Sequence, residues 1–277
     1  MAAGGARVEI EEGRRLVVLG AEAPVLRREG AELALTPRED REAELDLAVL
    51  AAAGAARWTL DELYLPEHGH FAYHRGSDAL IHNASLLGAR LVHELVDDAA
   101  ARDAVTRAVE LTIAAQRADG SWPYGEGIAF TDSFHTGFVL DCLCALRDVD
   151  PAVGDAVARG AAFYAERFFH DDGWASLWPD RRYPLDAHSA GTGLTSLAAL
   201  VRTGHADADL LRRVAERTVS GVVRRGHAVH RRYRWRRTTV RYVRWCDAHV
   251  ALGLADAAET LTGSPAAAKS SVDASRG

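Results

Sequence analysis

A polar segment containing a histidine recurs four times along the 277-residue chain, and a small, apolar stretch follows it each time. The four histidines are His82, His135, His188 and His249, separated by 53, 53 and 61 residues. A period of this length is typical of proteins built from repeated helical hairpins, in which each unit packs on its neighbours. The repeat therefore favours one array of helices over a sheet-based fold.

The second half of the unit also repeats. Residues 103–122 and 155–174 both have the pattern of a helix that ends in a Gly-containing loop and a tryptophan. Trp122 follows His82 by 40 residues, and Trp174 follows His135 by 39. The first helix of each unit is rich in Gly, Ala, Ser and Thr on most faces, whereas the second carries charges on one face. This predicts inner helices surrounded by outer helices.

The predicted fold class is therefore all-α, an α/α toroid of repeated helical hairpins. A capping box at Thr36, Pro37 and Glu39 predicts a further helix that ends at Gly54. Four units and this helix are fewer than a complete ring contains, so we expect a short or incomplete α/α barrel. We predict three regions: an arm over 1–35, irregular or a β-hairpin about Gly13; a toroid domain over 36–262; and a disordered tail over 263–277.

Composition excludes several classes of protein. The formal net charge is −6, so no global positive field favours a nucleic-acid partner. Three cysteines, an odd number, argue against a disulfide framework and favour a cytoplasmic location. The N-terminus has no apolar signal region, and no apolar stretch is long enough to predict a membrane span.

The tryptophan loops resemble a known motif. Residues 116–122, QRADGSW, are similar to the QW motif of the squalene cyclase and prenyltransferase β-subunit superfamily, and Asp172-Gly173-Trp174 resembles a degenerate copy. Residues 132–143, DSFHTGFVLDCL, resemble a helix start of protein prenyltransferase β subunits. The resemblance implies the toroid fold, with Gln and Trp tying each outer-helix end to the next inner helix.

The chain departs from this superfamily in its chemical motifs. The Asp-x-Asp-Asp acid of class II terpene cyclases is absent, and the nearest string, residues 148–151, reads as the start of a helix. Prenyltransferases bind zinc through Asp, Cys and His, whereas His188 stands where that thiolate would be. They also work as heterodimers, so the resemblance leaves open a partner subunit that completes the toroid.

A closer resemblance is to bacterial toroid proteins often encoded beside polysaccharide-biosynthesis genes. The shared segments run in order along the chain and include FAYHRGSDALIHNASLLGA (71–89), DGSWPYGE (119–126), DSFHTGFVLDCL, YPLDAHSA (183–190) and the stretch from RYRW to RYVRW (232–245). This resemblance implies a glycan-linked role and no particular reaction.

The candidate site follows from the toroid. Inner-helix N-termini converge on one end of the central cavity, where unpaired N–H groups favour polar ligands. The polar residues expected there are His82, Asn83, Asp132, His135, Asp186, His188, Asp247 and His249. Neighbouring loops add Tyr73, Trp122, Tyr124, Glu126, Tyr183, Arg241 and Trp245. Asp and Asn at helix starts are also ordinary caps, although a cap needs no imidazole.

Three chemistries fit this set. In the preferred one, catalytic residues His135, His188, Asp186, Asp132 and Glu126 act as acids and bases on a carbohydrate or polysaccharide precursor, and the remaining residues bind that substrate. Aromatic side chains such as Tyr124 and Trp245 suit sugar rings. Trp122 serves equally well as a structural clamp.

The second chemistry is zinc-assisted, with Asp186, His188 and His249 as ligands, and belongs to a prenyltransferase-like or cyclase-like enzyme of isoprenoid metabolism. No cofactor is favoured, and zinc is possible. The third is a non-catalytic glycan-binding or scaffold module. Residues 231–244 contain seven arginines and no acids, so we expect the small-molecule or glycan ligand to be anionic. The alternative for this segment is a solvated loop.

Overall fold

A computed structural model describes residues 7–11, 15–19, 26–29, 32–35, 41–238 and 240–263, with side chains from residue 50 onward. The helices are α1 (Arg41–Leu63), α2 (His82–Leu95), α3 (Ala99–Ala114), α4 (Ser133–Ala145), α5 (Ala152–Phe168), α6 (Ala187–Arg202), α7 (Ala208–Gly221) and α8 (Ala248–Thr262). One π-helical turn, Val243–Asp247, leads directly into α8.

The strands are short and antiparallel. They are β1 (Arg7–Glu11), β2 (Arg15–Leu19), β3 (Leu26–Glu29), β4 (Glu32–Leu35), β5 (Tyr64–Leu65), β6 (His70–Phe71), β7 (Ser176–Trp178), β8 (Arg181–Asp186), β9 (Val223–Arg224), β10 (His227–Ala228) and β11 (Arg231–Arg232). The N-terminal arm contains two hairpins, β1–β2 and β3–β4, as expected about Gly13 for the first. The three-stranded sheet has the order β11-β8-β7 and leads into α6.

The helices form two layers, which confirms the α/α toroid. Helices α2, α4, α6 and α8 pack side by side as the inner layer, and α3, α5 and α7 lie outside them. Helix α1 packs on α2, and α8 packs mainly on α6 and α7. The described part of the chain thus forms an arc. Among the described residues, the fourth unit contributes the inner helix α8.

Helix α6 is the most enclosed of the inner helices, because its small side chains let neighbours approach from every side. Thirteen of its 16 residues are buried. Gly191 of α6 and Gly253 of α8 face each other so closely that a Cβ on either would overlap the backbone of the other helix. The N-terminal ends of α6 and α8 are therefore held together at backbone contact.

The first tryptophan loop ties one outer helix to the next outer helix. The Gln116 amide donates to the carbonyl of Ala156 in α5 at 2.9 Å. Trp122 donates to the carbonyl of Thr112 in α3 at 2.8 Å, and its ring lies against Gly160 of α5. The hydrogen bonds of Gln116 and Trp122 go to α5 and α3, and Trp122 also lines a crevice with Thr136 and Val139 of the next inner helix, α4.

The second loop repeats this arrangement one unit later. The ring of Trp174 fills the space at Gly221, the last residue of α7, and Gly173 approaches the backbone of Arg213 in the same helix. Gly173 has φ +79°, a conformation that glycine adopts without strain. Both loops therefore fasten an outer helix to its successor.

Two further expectations concern α1 and the core. Helix α1 continues to Leu63, so the predicted end at Gly54 is wrong. A Cβ added at Gly54 would have no heavy atom within 4 Å, and the helix tolerates glycine here at a cost of about 1 kcal/mol relative to alanine. The predicted capping box lies outside the described residues. All three cysteines are free and buried. The predicted domain boundaries stay a prediction.

None of the helices in the described ranges combines the length and the apolar character that crossing a membrane requires.

Candidate functional site

Asp132 and His135 form a hydrogen-bonded pair at the start of α4. Asp132 is the N-cap: its Oδ1 accepts the backbone N–H of His135 at 3.0 Å. Its Oδ2 lies 2.6 Å from His135 Nδ1. The carboxylate is buried, whereas about a quarter of the imidazole (23 %) is exposed. Because Asp132 is hydrogen-bonded to Nδ1, it orients the imidazole and leaves Nε2 available to another partner.

Aromatic rings surround His135. Tyr124 lies edge-on at 4.5 Å between ring centroids and is itself stacked on Phe130 at 4.8 Å. Phe134, the residue before His135, lies 4.1 Å away on another side. Burial raises the pKa of the Tyr124 hydroxyl, so this residue stays protonated and able to donate. The Asp132–His135 pair is therefore flanked by the apolar faces and edges of aromatic rings.

His188, in the first turn of α6, also contacts Phe134. Its ring is stacked on Phe134 at 4.4 Å between centroids, and the side chain is buried. Burial lowers its pKa to about 3, and the neighbouring His249 adds to this effect. Neither of its ring nitrogens has a hydrogen-bond partner among the described residues. Buried polar atoms are normally paired, so these two buried nitrogens would pair with a ligand or water that reached them.

His249 and Trp245 complete this aromatic cluster from the α8 side. The centroids of these two rings lie 4.2 and 4.6 Å from that of His188. Phe138, one turn after Phe134, lies 6.2 Å from His249. Burial lowers the pKa of His249, and Trp245 is about half exposed. The N-terminal ends of three inner helices therefore meet in one surface of imidazoles and aromatic rings.

The end of α2 lies across a narrow crevice from Asp132 and His135. His82, Asn83, Trp122 and Tyr124 line it, and its volume of about 10 Å³ is room for about one water molecule. His82 Nδ1 faces Thr112 of the outer helix α3 at 3.3 Å, and burial lowers its pKa to about 4. His82 is thus joined to the outer layer, while the buried Oδ1 of Asn83 has no partner among the described residues.

Asp186 and Asp247 accept hydrogen bonds from backbone N–H groups and from arginine side chains. Oδ1 of Asp186 accepts the backbone N–H groups of His188 and Ser189. Its Oδ2 accepts from Arg231 Nε at 2.7 Å. Asp247 accepts from the backbone of Ala228 and from Arg241. Both carboxylates are therefore occupied by protein donors.

The remaining predicted residues lie at the margin. Glu126 is exposed, and its charge acts on His70, whose pKa burial lowers overall. Tyr73 is exposed beside His74. Tyr183 lies on β8, more than a third exposed. Arg241 is exposed where it binds Asp247. Trp122 is buried in the outer-layer clamp, so of its two predicted roles the structural one accounts for its contacts.

The three possible zinc ligands point in different directions in this structure. His188 and His249 are adjacent, but the carboxylate of Asp186 is directed to Arg231 and the start of α6. Within the described ranges, no group of three His, Cys, Asp or Glu side chains is arranged to hold a metal ion. The three predicted ligands are therefore divided between the imidazole cluster and the junction with Arg231.

Several residues of the cluster were missing from the sequence prediction. Phe134 and Phe138 lie one helical turn apart on α4, and both contact the imidazole of His188. Phe130 stacks on Tyr124, and Trp178 meets Phe130 edge-on at 6.0 Å. The spacing of Phe134 and Phe138 was a usable signal, because residues at i and i+4 share a helix face.

Comparison with known proteins identifies the architecture. No protein-family model matches the chain, and no curated protein matches its sequence. Solved structures do match. A possible GH105 family member from Salmonella enterica has TM-score 0.61 and 13% identity, covering 80% of this chain and 68% of its own.

Two other structures match over similar ranges. The unsaturated glucuronyl hydrolase from Bacillus sp. GL1 has TM-score 0.61 and 14% identity, covering 82% of this chain and 70% of its own. The cellobiose 2-epimerase from Bacillus thermoamylovorans has TM-score 0.57 and 13% identity, covering 79% and 70%. At these identities the likeness shows the fold. The isoprenoid alternative stays a prediction from sequence, and the chain is an α/α toroid similar in fold to these enzymes.

Proposed function

We propose that this protein is an enzyme that transfers protons on a carbohydrate substrate, with His135 as the acid or base. The observation that carries the proposal is the Asp132–His135 pair, at 2.6 Å, within a partly exposed aromatic wall. Imidazole changes charge near neutral pH, and an oriented imidazole with a free Nε2 is suited to give and accept a proton.

The aromatic cluster supports the choice of substrate. Flat rings such as Trp245 and Tyr124 offer apolar faces to sugar rings, and the tyrosine hydroxyl offers a polar edge. The toroid fold is shared with structures named as a glucuronyl hydrolase and a cellobiose epimerase, which supports a carbohydrate as the substrate class. A polysaccharide-biosynthesis intermediate, implied by the resemblance of the motifs, is the finer form of this proposal.

His188 is proposed to bind the sugar. Because its pKa is low, the ring is neutral at pH 7 and has one N–H donor and one acceptor nitrogen. A sugar hydroxyl both donates and accepts, so either unpartnered nitrogen can pair with one. Asp132 and Asp186 are positioning residues in this proposal, since their oxygens hold His135 and the start of α6.

Proton transfer suits the site better than hydrolysis by two carboxylates. Glycosidases of that type need a carboxylic acid and a second carboxylate flanking the scissile bond. Here Asp132, Asp186 and Asp247 are all occupied by protein donors. Glu126 stays in the proposal as a group at the margin that a large substrate would meet.

The test is nuclear magnetic resonance in D2O with a panel of neutral and uronic oligosaccharides, following new sugars and deuterium incorporation. We expect one class of sugar to react, and His135→Gln to slow that reaction by about 10²–10⁴-fold. His93→Gln is the matched control, because His93 also lies near a carboxylate, Asp148 at 3.5 Å, at the opposite end of the inner helices. Full activity of His135→Gln, or no reaction with any sugar, contradicts the proposal.

A further inference from the structure

A second cavity lies outside the imidazole cluster, between the end of α7 and the hairpin formed by residues 231–238. Its volume is about 320 Å³. Its lining is dominated by arginine and includes Arg224, Arg232, Arg234, Arg236 and Arg237, with Tyr233 and Trp235 beside them. We call it the arginine cavity. This volume is at the lower end of the range of small-molecule sites.

The hairpin that carries most of these arginines is held in place by hydrogen bonds. Strand β11 pairs with β8, which places Arg231 opposite Asp186. Within the hairpin, Tyr233 N–H donates to the Arg236 carbonyl at 2.7 Å, and Thr238 N–H donates to the Arg231 carbonyl at 2.9 Å. The turn therefore presents Arg234 and Trp235 at its tip.

The positive charges of the cavity have no carboxylate partner among the side chains that the structure describes. None of its five arginines has an Asp or Glu oxygen within 4 Å among the described side chains, although neighbouring Arg231 and Arg241 do. Three of the five lie over aromatic rings instead: Arg232 over Trp174, Arg234 over Trp235, and Arg236 over Tyr233, at 5.6, 4.8 and 4.8 Å. Stacking orients a guanidinium and leaves its N–H donors available.

From this arrangement we propose that the arginine cavity binds an organic diphosphate. Several guanidinium groups gathered in one concave surface repel one another, and an anion relieves this repulsion. A diphosphate places several negative charges on adjacent groups and accepts bidentate hydrogen bonds from more than one arginine. An acidic sugar carries one charge per ring, so it neutralises fewer arginines in the same space. Trp235, 86% exposed, offers a face to the organic part.

The experiment is isothermal titration of the full chain with inorganic pyrophosphate. Three further arms identify the source: a nucleoside diphosphate, an isoprenyl diphosphate and digalacturonate. We expect pyrophosphate and one of the organic diphosphates to bind, the organic one more tightly. The Arg234→Gln/Arg236→Gln variant should weaken both by about tenfold or more, since one charged hydrogen bond contributes at least this much.

Arg212→Gln is the control, because Arg212 is an exposed arginine of α7 that pairs with Asp209. It should bind diphosphates as the original protein does. Absence of diphosphate binding at millimolar concentration, equal binding by the double variant, or tighter binding of digalacturonate would each overturn the proposal. Reactions of sugars at His135 should be retained in the double variant, so this test and that of the proposed function fail separately.

Discussion

Arg231 and Asp186 form an ion pair in which Nε donates to Oδ2 at 2.7 Å. The carboxylate is 2% exposed, and its other oxygen accepts the N–H groups that begin α6. One buried side chain therefore joins the arginine hairpin to the first turn of the helix that carries His188.

Replacing Arg231 with glutamine should destabilise the protein. It leaves the buried Asp186 without its charged partner, and we expect the free energy of unfolding to fall by about 1–3 kcal/mol. Urea unfolding measures this loss. The double variant Arg231→Gln/Asp186→Asn should recover part of it, since the uncompensated charge is then gone. If both variants lose the same amount, the ion pair is not what stabilises this junction.

Asp132→Asn should separate positioning of His135 from folding. Asparagine is as good an N-cap as aspartate, so α4 should form normally. Its amide N–H₂ would face Nδ1 and reverse the tautomer of the ring, which in a comparable arrangement of Asp and His costs about 10⁴-fold in rate. We expect a large loss of sugar turnover, measured by the same magnetic resonance assay, with an unchanged unfolding midpoint. Asp207→Asn, at the N-cap of α7, should leave both unaffected.

The protein should become less stable as the pH falls. Burial lowers the pKa of His188 to about 3 and that of His82 to about 4, whereas both titrate near 6.5 when unfolded. Between these values the unfolded chain binds more protons, so the free energy of unfolding is highest above 6.5 and decreases as pH falls. At about pH 5 each histidine accounts for roughly 2 kcal/mol of the loss.

Urea unfolding at about pH 7.5 and about pH 5 checks this prediction, with the difference between the two as the readout. His82→Gln should reduce that difference by roughly the share of one histidine. A difference that is the same in the original chain and in His82→Gln would show that His82 is not the source.

Trp122→Ala should destabilise the fold far more than loss of an exposed tryptophan would. It removes a buried ring packed on Gly160 and the hydrogen bond to Thr112, and the expected cost is about 3–5 kcal/mol. Trp58→Ala, at a half-exposed position of α1, should change stability by about 0.5 kcal/mol or less. Comparable losses in the two variants, measured by chemical denaturation, would contradict the clamp.

The inner helices were predictable because their signal is local and repeated. Asp132 and Asp186 each precede a histidine at a helix start, and the 53-residue spacing places these starts at equivalent points of an array. The meeting of His135, His188 and His249 follows from that array alone. That these three histidines lie at the same end of the toroid could be predicted without knowing any individual contact.

The direction of each side chain was not predictable in the same way. His82 is the first residue of α2, whereas His135 is the third residue of α4, and His82 faces Thr112 of the outer layer. Gln116 and Trp122 contact α5, at the Ala156 carbonyl and at Gly160 respectively. These choices depend on contacts between residues about 30 to 40 positions apart, which a local pattern does not contain.

The close approach of Gly191 and Gly253 determines how wide the candidate site is. The imidazoles of His188 and His249 lie 4.2 Å apart on two helices whose main chains are already in contact at these glycines. Exchanging the residues around the site cannot bring those helices closer, and any side chain at either glycine would act as a wedge between them. Selection among ligands by size would then depend on two positions that meet no ligand.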